Sequence, residues 1–368
     1  MKKFILFFLF CHVTALAQNH NHSFGRKIAF PNVSGYLTLK SDLHIHTVFS
    51  DGSVWPDIRV QEAIRDGLDV ISLTEHLEYQ PHKDDIPHPN RNRSYELALR
   101  LAENSDLMIV RGSEITRSMP PGHSNAIFIE DANKMIKDDA MDAFEEAQNQ
   151  QAFVFWNHPT WTGQETDGIA KLYDLHEELI EKGLLHGIEV VNMDTYSEEA
   201  LQIALDHNLT IMGTSDVHGL IDWDYETQHG GHRPITLIFA EERTEAAMQA
   251  ALEAGRTVVW YNDLLIGRAV HMNLLLNASV TVESLNYPGD TQVAHVQVKN
   301  NSDAKLMLHN LSDFTFYDTA DIIELAPQAS TTLKVKTGKR LKTFDMKFKV
   351  LNAIVAPKEQ ATLTIQVK

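Results

Sequence analysis

The chain has 368 residues, 43% of them hydrophobic and 22% charged, and a formal net charge of −18. These proportions suit a globular protein with one large domain, or one large and one small. The negative balance, spread along the sequence, argues against a general nucleic-acid binder, which needs a basic footprint, but leaves a small anionic substrate open because bound metal ions reverse the local field.

In chain order, residues 1–18 read as a targeting segment. Lys2 and Lys3 form its positive end, Phe4 to Val13 is almost wholly apolar, and Ala15-Leu16-Ala17 is a small-x-small cleavage signal before Gln18. The apolar run is too short to span a bilayer comfortably. The single cysteine, Cys11, falls inside it, in "FLFCHV", which lacks the small residues that precede a lipoprotein cysteine. The expectation is an exported, periplasmic or secreted protein without disulfides and without a thiolate ligand. No other stretch has the length and apolarity of a transmembrane segment.

From Ser41 to Trp260 short apolar strands alternate with amphipathic helices. "DLHIHT" reads as a strand, Pro56 to Arg65 as a helix with proline in its first turn, and "LDVISLTEH" as the next strand. Arg93 to Glu103 reads as helix, "DLMIVRGSE" and "NAIFIE" as strands, Asp139 to Gln150 as helix and "AFVFWNHP" as strand. Ile169 to Lys182, Ser197 to His207 and Thr244 to Ala254 read as helices. "GIEVVN", "LTIMGTSD", "ITLIFA" and "TVVWY" read as strands. This alternation predicts a parallel sheet rolled into a barrel. The texture changes near His271. From Asn273 to Lys368 runs such as "AHVQVKN", "STTLKVKT", "DMKFKV" and "ATLTIQV" alternate with period two, which predicts an antiparallel β-sandwich of immunoglobulin size. The expected division is 1–18 signal peptide, 19–270 barrel and 271–368 sandwich.

Nine potential metal ligands are threaded through the barrel region: His44 and His46 in "DLHIHT", Asp51 in "FSDG", His76 in "LTEH", Glu114 in "GSEIT", His123 in "PGHSN", His158 in "WNHP", and Asp216 and His218 in "TSDVH". Most follow an apolar strand directly, and a barrel of parallel strands gathers its chemistry at the C-terminal strand ends. Residues two apart point to one side of an extended strand, which aims His44 with His46, and Asp216 with His218, at common points. Imidazole and carboxylate together suit Zn, Mn or Fe, and the set exceeds what one ion needs. Singly, each has a plain reading: Asp51 as a turn residue, His158 as a strand end before Pro159, Glu114 as a partner of Arg111 or Arg117. Jointly those readings would leave several buried ionisable groups without a common purpose.

The order His-x-His, Ser-Asp-Gly, Thr-Glu-His, Gly-x-Glu, Gly-His, Asn-His-Pro and Ser-Asp-x-His resembles the PHP (polymerase and histidinol phosphatase) family over roughly Lys40 to Trp260. The resemblance implies a distorted seven-stranded (β/α) barrel, here followed by an all-β immunoglobulin-like sandwich, and two or three divalent ions (Zn, Mn or Fe). It implies one ion held by His44, His46, Glu114 and Asp216, a second sharing Glu114 with His123 and His158, and a third on Asp51, His76 and His218. Asp51 occupies a position that varies in the family between aspartate and histidine, which makes the third ion the least secure. The implied activity is hydrolysis of phosphate esters on small molecules, with hydroxide generated on the ions attacking phosphorus. Glu114, Asp216 and His218 are the expected catalytic residues.

Arg117 and Arg233 are candidate phosphate clamps, and His229 and His232, which flank two glycines, are candidate substrate contacts. Tyr79, His82 and His88 lie in a loop suited to shaping a pocket. Trp55, Trp161 and Trp223 follow strand ends, where they would stack on a base or sugar, or pack in the core. His176, His186, His207 and His271 read as ordinary surface or helix histidines. The expected partner is a small phosphorylated substrate and not a nucleic-acid duplex; the oligomeric state is open. Two other functions fit the pattern less well. An amidohydrolase-type C–N or C–O hydrolase would use a bridging lysine that this sequence lacks in the Glu114 strand. A non-catalytic binding protein would rely on the sandwich and have no need of the full ligand set.

Overall fold

The structure is a computed structural model that describes residues 27–368; the expected targeting segment, 1–18, lies outside the described residues. Strands β1 (Leu37–Ile45), β2 (Val70–Leu73), β3 (Met108–Ile115), β4 (Ser124–Ile127), β5 (Phe153–Trp156) and β6 (Gly187–Asn192) pair in sequence order. After the short β7 (Thr195–Tyr196), β8 (Thr210–Thr214) adds on the far side of β6. A parallel bridge from Ile45 to Val217 then returns the sheet to β1, with Asp216 N–H donating to the His44 carbonyl (2.9 Å) and His46 N–H to the Val217 carbonyl (3.1 Å). Strands β1 to β6 and β8 thus close a seven-stranded barrel.

The barrel is distorted in a way the alternation did not predict. β4 runs antiparallel to both β3 and β5, because no helix intervenes between β3 and β4 to carry the chain back across the barrel. β1 is long and serves two neighbours: Leu37 to Ser41 pairs with the antiparallel β9 (Ile235–Ala240), and Ser41 to Ile45 with β2. β10 (Thr257–Tyr261) and β11 (Leu264–Gly267) extend the sheet beyond β9.

The helices α1 (Pro56–Asp66), α2 (Arg93–Ala102), α3 (Ala140–Asn149), α4 (Asp174–Glu181), α5 (Glu198–Asp206) and, after the short α6 (Ile221–Asp224) that was not expected, α7 (Glu245–Glu253) follow the expected pattern with two further corrections. α4 is shorter than expected, since Ile169 to Tyr173 lies outside the helix. The Tyr173 hydroxyl donates to Glu165 (2.6 Å), and its N–H donates to the His176 ring (3.2 Å), which fixes the helix start at Asp174. The second correction is α8 (Ala269–Ser279), which occupies the beginning of the region read as strands. Met272, Leu275, Leu276 and Ser279 are its buried residues, at helical spacing.

Beyond α8 the chain is all β. β12 (Val280–Asn286), β13 (Val293–Asn300), β14 (Leu306–Asn310), β15 (Thr315–Phe316), β16 (Ile322–Leu325), β17 (Ser330–Lys336), β18 (Phe344–Ala356) and β19 (Glu359–Val367) form two layers, β12-β13-β17-β15 and β16-β14-β18-β19. Strict alternation buries Ala294, Val296 and Val298 of β13 and Leu363, Ile365 and Val367 of β19. β18 also pairs in parallel with β11, through Leu265 with Ala353 and Ile266 with Ile354. One apolar cluster runs from Ile71 and Leu73 in the barrel through Trp260, Met272 and Leu276 to Val350 and Ile365 in the sandwich.

A shared core and a shared sheet make the two parts one cooperative unit. Thermal unfolding followed by circular dichroism is expected to be a single transition. Leu275→Ala, at a site with no solvent exposure, is expected to cost about 2–5 kcal/mol and to lower that transition as a whole rather than split it.

Candidate metal centre

The nine candidate ligands converge at one end of the barrel. His44 lies on β1, Glu114 on β3, and the remainder on segments that follow strand ends. Asp216 reaches the cluster by a route other than strand alternation. It sits past β8 in the left-handed region at φ 47°, and His158, past β5, has φ 28°. Such backbone costs about 1 kcal/mol or more per residue, and here two candidate ligands carry it. Gly52 brings its neighbour Asp51 in close: a Cβ at Gly52 would come within 2.7 Å of the His46 and Thr47 backbone.

On the floor, His44 Nε2 and His46 Nε2 are 3.0 Å apart, and each is 3.0 Å from Asp216 Oδ1. Glu114 Oε2 stands 3.5 and 3.4 Å from the same two nitrogens. The other Glu114 oxygen, Oε1, faces His123 Nδ1 at 2.8 Å and His158 Nε2 at 3.6 Å. Towards the cleft mouth, Asp51 lies 3.3 Å from His76 Nε2 and 3.2 Å from His218 Nε2. An ion about 2.0–2.2 Å from each tetrahedral ligand separates those ligands by about 3.3–3.6 Å, close to the spacings found. Both Glu114 oxygens, Asp216 Oδ1 and His123 Nδ1 are buried without a hydrogen-bond partner. Four groupings of three or four of these residues bring their ligand atoms within 4.8 Å of one another. The donor set and its orphaned lone pairs fit divalent ions.

A second layer fixes the imidazoles. His44 Nδ1 faces Glu189 Oε1 at 2.8 Å, which makes Nδ1 the donor and leaves the Nε2 lone pair for an ion. Glu189 also accepts the His158 N–H (2.6 Å) and the Asn192 amide (2.9 Å), and Asn192 donates to Asp216 Oδ2 (3.3 Å). His46 Nδ1 faces Ser50 Oγ (3.3 Å), whose hydroxyl donates to the buried Glu75 (2.6 Å). His218 Nδ1 donates to the Asp216 carbonyl (2.7 Å), and His76 Nδ1 faces Thr116 Oγ1 (2.7 Å). Sequence reasoning missed Glu189, Glu75 and Asn192. The signal for Glu189 was a carboxylate in the middle of the otherwise apolar "GIEVVN".

Electrostatics without ions is governed by the carboxylates. Burial opposes protonation of His76, yet Glu114 and Asp51 beside it push its pKa up to about 10. His44 is raised in the same way against its own burial by Asp216 and Glu189. Burial lowers His46 to about 4, helped by the neighbouring His218 and His76. Glu114 and Asp216 are held well below the usual carboxylate range despite burial, by His76 and the other imidazoles around Glu114 and by His44 and His46 around Asp216.

None of the four candidate substrate contacts lines the cavity that holds the candidate ligands. Arg233 is fully buried, 3.1 Å from Asp42 and 2.8 Å from Asp66, so its charge neutralises two interior carboxylates and is withheld from any phosphate. Arg117 pairs with Glu78 (2.9 Å) and donates to the Lys137 and Asp138 carbonyls; it lines a neighbouring cavity that also touches His123. His229 is exposed beside Glu226. His232 stacks on Trp260 with ring centroids 3.4 Å apart. Neither histidine lines the cavity that contains the candidate ligands. His176 is a further correction: it is buried, stacked on Trp156 at 3.9 Å and 2.7 Å from the Pro121 carbonyl, two residues before His123.

A family model described as an Ig-like domain matches residues 280–366. The chain is 41% identical to a two-domain protein from Bacteroides vulgatus described as containing a predicted PHP-like metal-dependent phosphoesterase. That match covers 93% of this chain and 99% of the other, with a TM-score of 0.86. Weaker similarity, at 17% identity and TM-score 0.42, links 61% of this chain to 92% of PsfC from Pseudomonas syringae. At 15% identity and TM-score 0.44, 63% of it aligns with 59% of a lesion-specific endonuclease from Pyrococcus furiosus. Neither of these two bears on the site. No curated protein matches the chain.

Because metal binding must displace the protons that the carboxylates keep on His44 and His76, adding Mn²⁺ or Zn²⁺ to metal-free protein at neutral pH is expected to release protons. Titration calorimetry in buffers of different ionisation enthalpy reads this directly. With those imidazole pKa values raised, affinity is expected to fall as pH falls from 8 towards 6. Glu189→Gln is expected to weaken metal affinity by about 10–100-fold, measured in competition with a chromogenic chelator.

Proposed function

This chain belongs to the PHP-like metal-dependent phosphoesterase family, and on that premise we propose that it hydrolyses phosphate esters of small molecules. In this reading His44, His46, Glu114 and Asp216 would hold one divalent ion. Glu114 would share a second with His123 and His158, and Asp51, His76 and His218 would hold a third. Zn, Mn and Fe all suit the donor set. Ions bound there would supply water acidified towards neutrality and positive charge for the phosphoryl oxygens.

The chain's own residues supply the positioning. Glu114 presents one oxygen to the His44/His46 side and the other to the His123/His158 side, so a single carboxylate sets the spacing across the floor. Asn192 holds Asp216 by Oδ2 and leaves Oδ1 to face the imidazoles. His44, His46 and Glu114 are sealed from solvent, whereas Asp51 and His218 are the least buried of the nine. The cleft is thus open to water at that end, so a proton can reach the departing alcohol. Export belongs to the same proposal and rests on the sequence of residues 1–18, which suits hydrolysis of esters outside the cytoplasm.

The observation that carries this reading is the convergence of nine ligands at 2.8–3.6 Å from a neighbour. Glu114 fills the bridging position, with no lysine lining the cleft among the described residues, which favours phosphate over amide chemistry. The test is elemental analysis followed by assay of phosphate esters, amides and lactones with Mn²⁺ or Zn²⁺ added. Phosphate esters are expected to be hydrolysed and a chelator to abolish the rate. Glu114→Gln is expected to lower kcat by about 100-fold or more. Hydrolysis of amides or lactones alone would refute the phosphoesterase assignment.

A further inference from the structure

Five tryptophans lie in the described residues. Trp156 and Trp260 are buried, whereas Trp55, Trp161 and Trp223 are 45%, 49% and 76% exposed. Each exposed indole sits on the segment following a strand whose end carries candidate ligands. Large apolar groups left in water around a cleft mark a surface that a ligand covers.

Trp161 is the one that lines the same cavity as the ligands, a space of about 350 Å³. Its ring centroid is 5.5 Å from that of His158 and 5.7 Å from that of His123. Its position is built in. Trp161 N–H donates to the His158 carbonyl (2.9 Å), and the indole lies over the bare backbone of Gly163, where a Cβ would come within 2.5 Å of Cζ2. Met193, 41% exposed and held at φ 52°, lines the same cavity. The hydroxyls of Thr160, Thr162 and Thr195 are there too, as is Asp194; lysine and arginine are absent from the lining among the described residues. Within that lining a leaving group with extra phosphate or carboxylate charge would meet Asp194, while Arg117, which lines the adjoining cavity with Trp161, is engaged by Glu78. A neutral ring would meet an indole face, a thioether and hydroxyl groups.

We propose that the substrate's leaving alcohol carries an uncharged ring that stacks on Trp161, so that this residue sets specificity for the ester. The inference rests on the phosphoesterase reading above. The shared chemistry is a neutral ring with a flat apolar face, which a sugar or a nucleobase can supply.

The experiment compares kcat/KM of the metal-loaded protein for four esters of primary alcohols: adenosine monophosphate, a hexose monophosphate, n-butyl phosphate and a hexose bisphosphate. At least one ring monoester is expected to exceed n-butyl phosphate by about ten-fold, with the bisphosphate poorer than its monoester. Which ring wins distinguishes base from sugar. Trp161→Ala removes the platform, and Gly163→Ala displaces it while keeping the indole. Both are expected to shrink the ring-to-butyl ratio chiefly through KM, with the metal content reporting that the centre is intact. Equal rates on ring and butyl esters, or a ratio unchanged in both variants, would overturn the ring preference. No hydrolysis of any ester, butyl phosphate included, would instead bring down the phosphoesterase reading and the preference with it.

Discussion

A carboxylate with no exposure, whose two oxygens face only imidazoles, is the constraint around which this barrel is organised. Burying Glu114 in that state is prohibitive unless positive charge meets it, and no lysine or arginine lines the cleft beside it among the described residues. Asp216 and Asp51 add to the demand at the cluster, and Glu189 and Glu75 stand directly behind its imidazoles. Without ions the need is met by protons on histidines, which is why His44 and His76 are driven up. Two or three divalent ions satisfy the same acids without deforming the site, because the ligand atoms already stand at nearly the spacing a first coordination shell requires.

The scaffold spends its other unusual features on keeping this arrangement. Arg59, wholly buried, donates to the carbonyls of His46, Val217 and Gly219 and pairs with Glu62, tying the end of β1 to the segment past β8. Arg233 performs the equivalent task one layer down. Its partner Asp42 accepts from the Ser215 hydroxyl and N–H, so the residue before the left-handed Asp216 is anchored to β1. These are buried ion pairs whose value lies in a fixed geometry more than in net stability. They explain why an arginine that reads as a phosphate clamp from its place after a glycine loop is found in the interior.

Much of the barrel and all nine candidate ligands were legible in the sequence, because strand-end histidines and acids stand out against apolar runs and because helices such as α1 and α5 carry start signals at Pro56 and Ser197. What escaped was non-local. The reversal of β4 follows from the missing crossover helix, a topological fact that residue pattern alone does not announce. The turn at Asp216 mimics strand alternation in one dimension and departs from it in three. The burial of Arg233 and the stacking of His232 escaped because sequence proximity to a ligand says nothing about which carboxylate, carbonyl or ring the side chain finally meets. Likewise, the sequence could not say that Trp161 would be exposed and Trp156 buried, five residues apart.

The most direct measurement is anomalous diffraction from crystals of metal-loaded protein, collected across the Mn, Fe and Zn absorption edges. The account expects two peaks bridged by Glu114, one against His44, His46 and Asp216 and the other against His123 and His158, with a third beside Asp51, His76 and His218 at sufficient metal concentration. Peaks remote from Glu114, or none with both of its oxygens still unpaired, would contradict it.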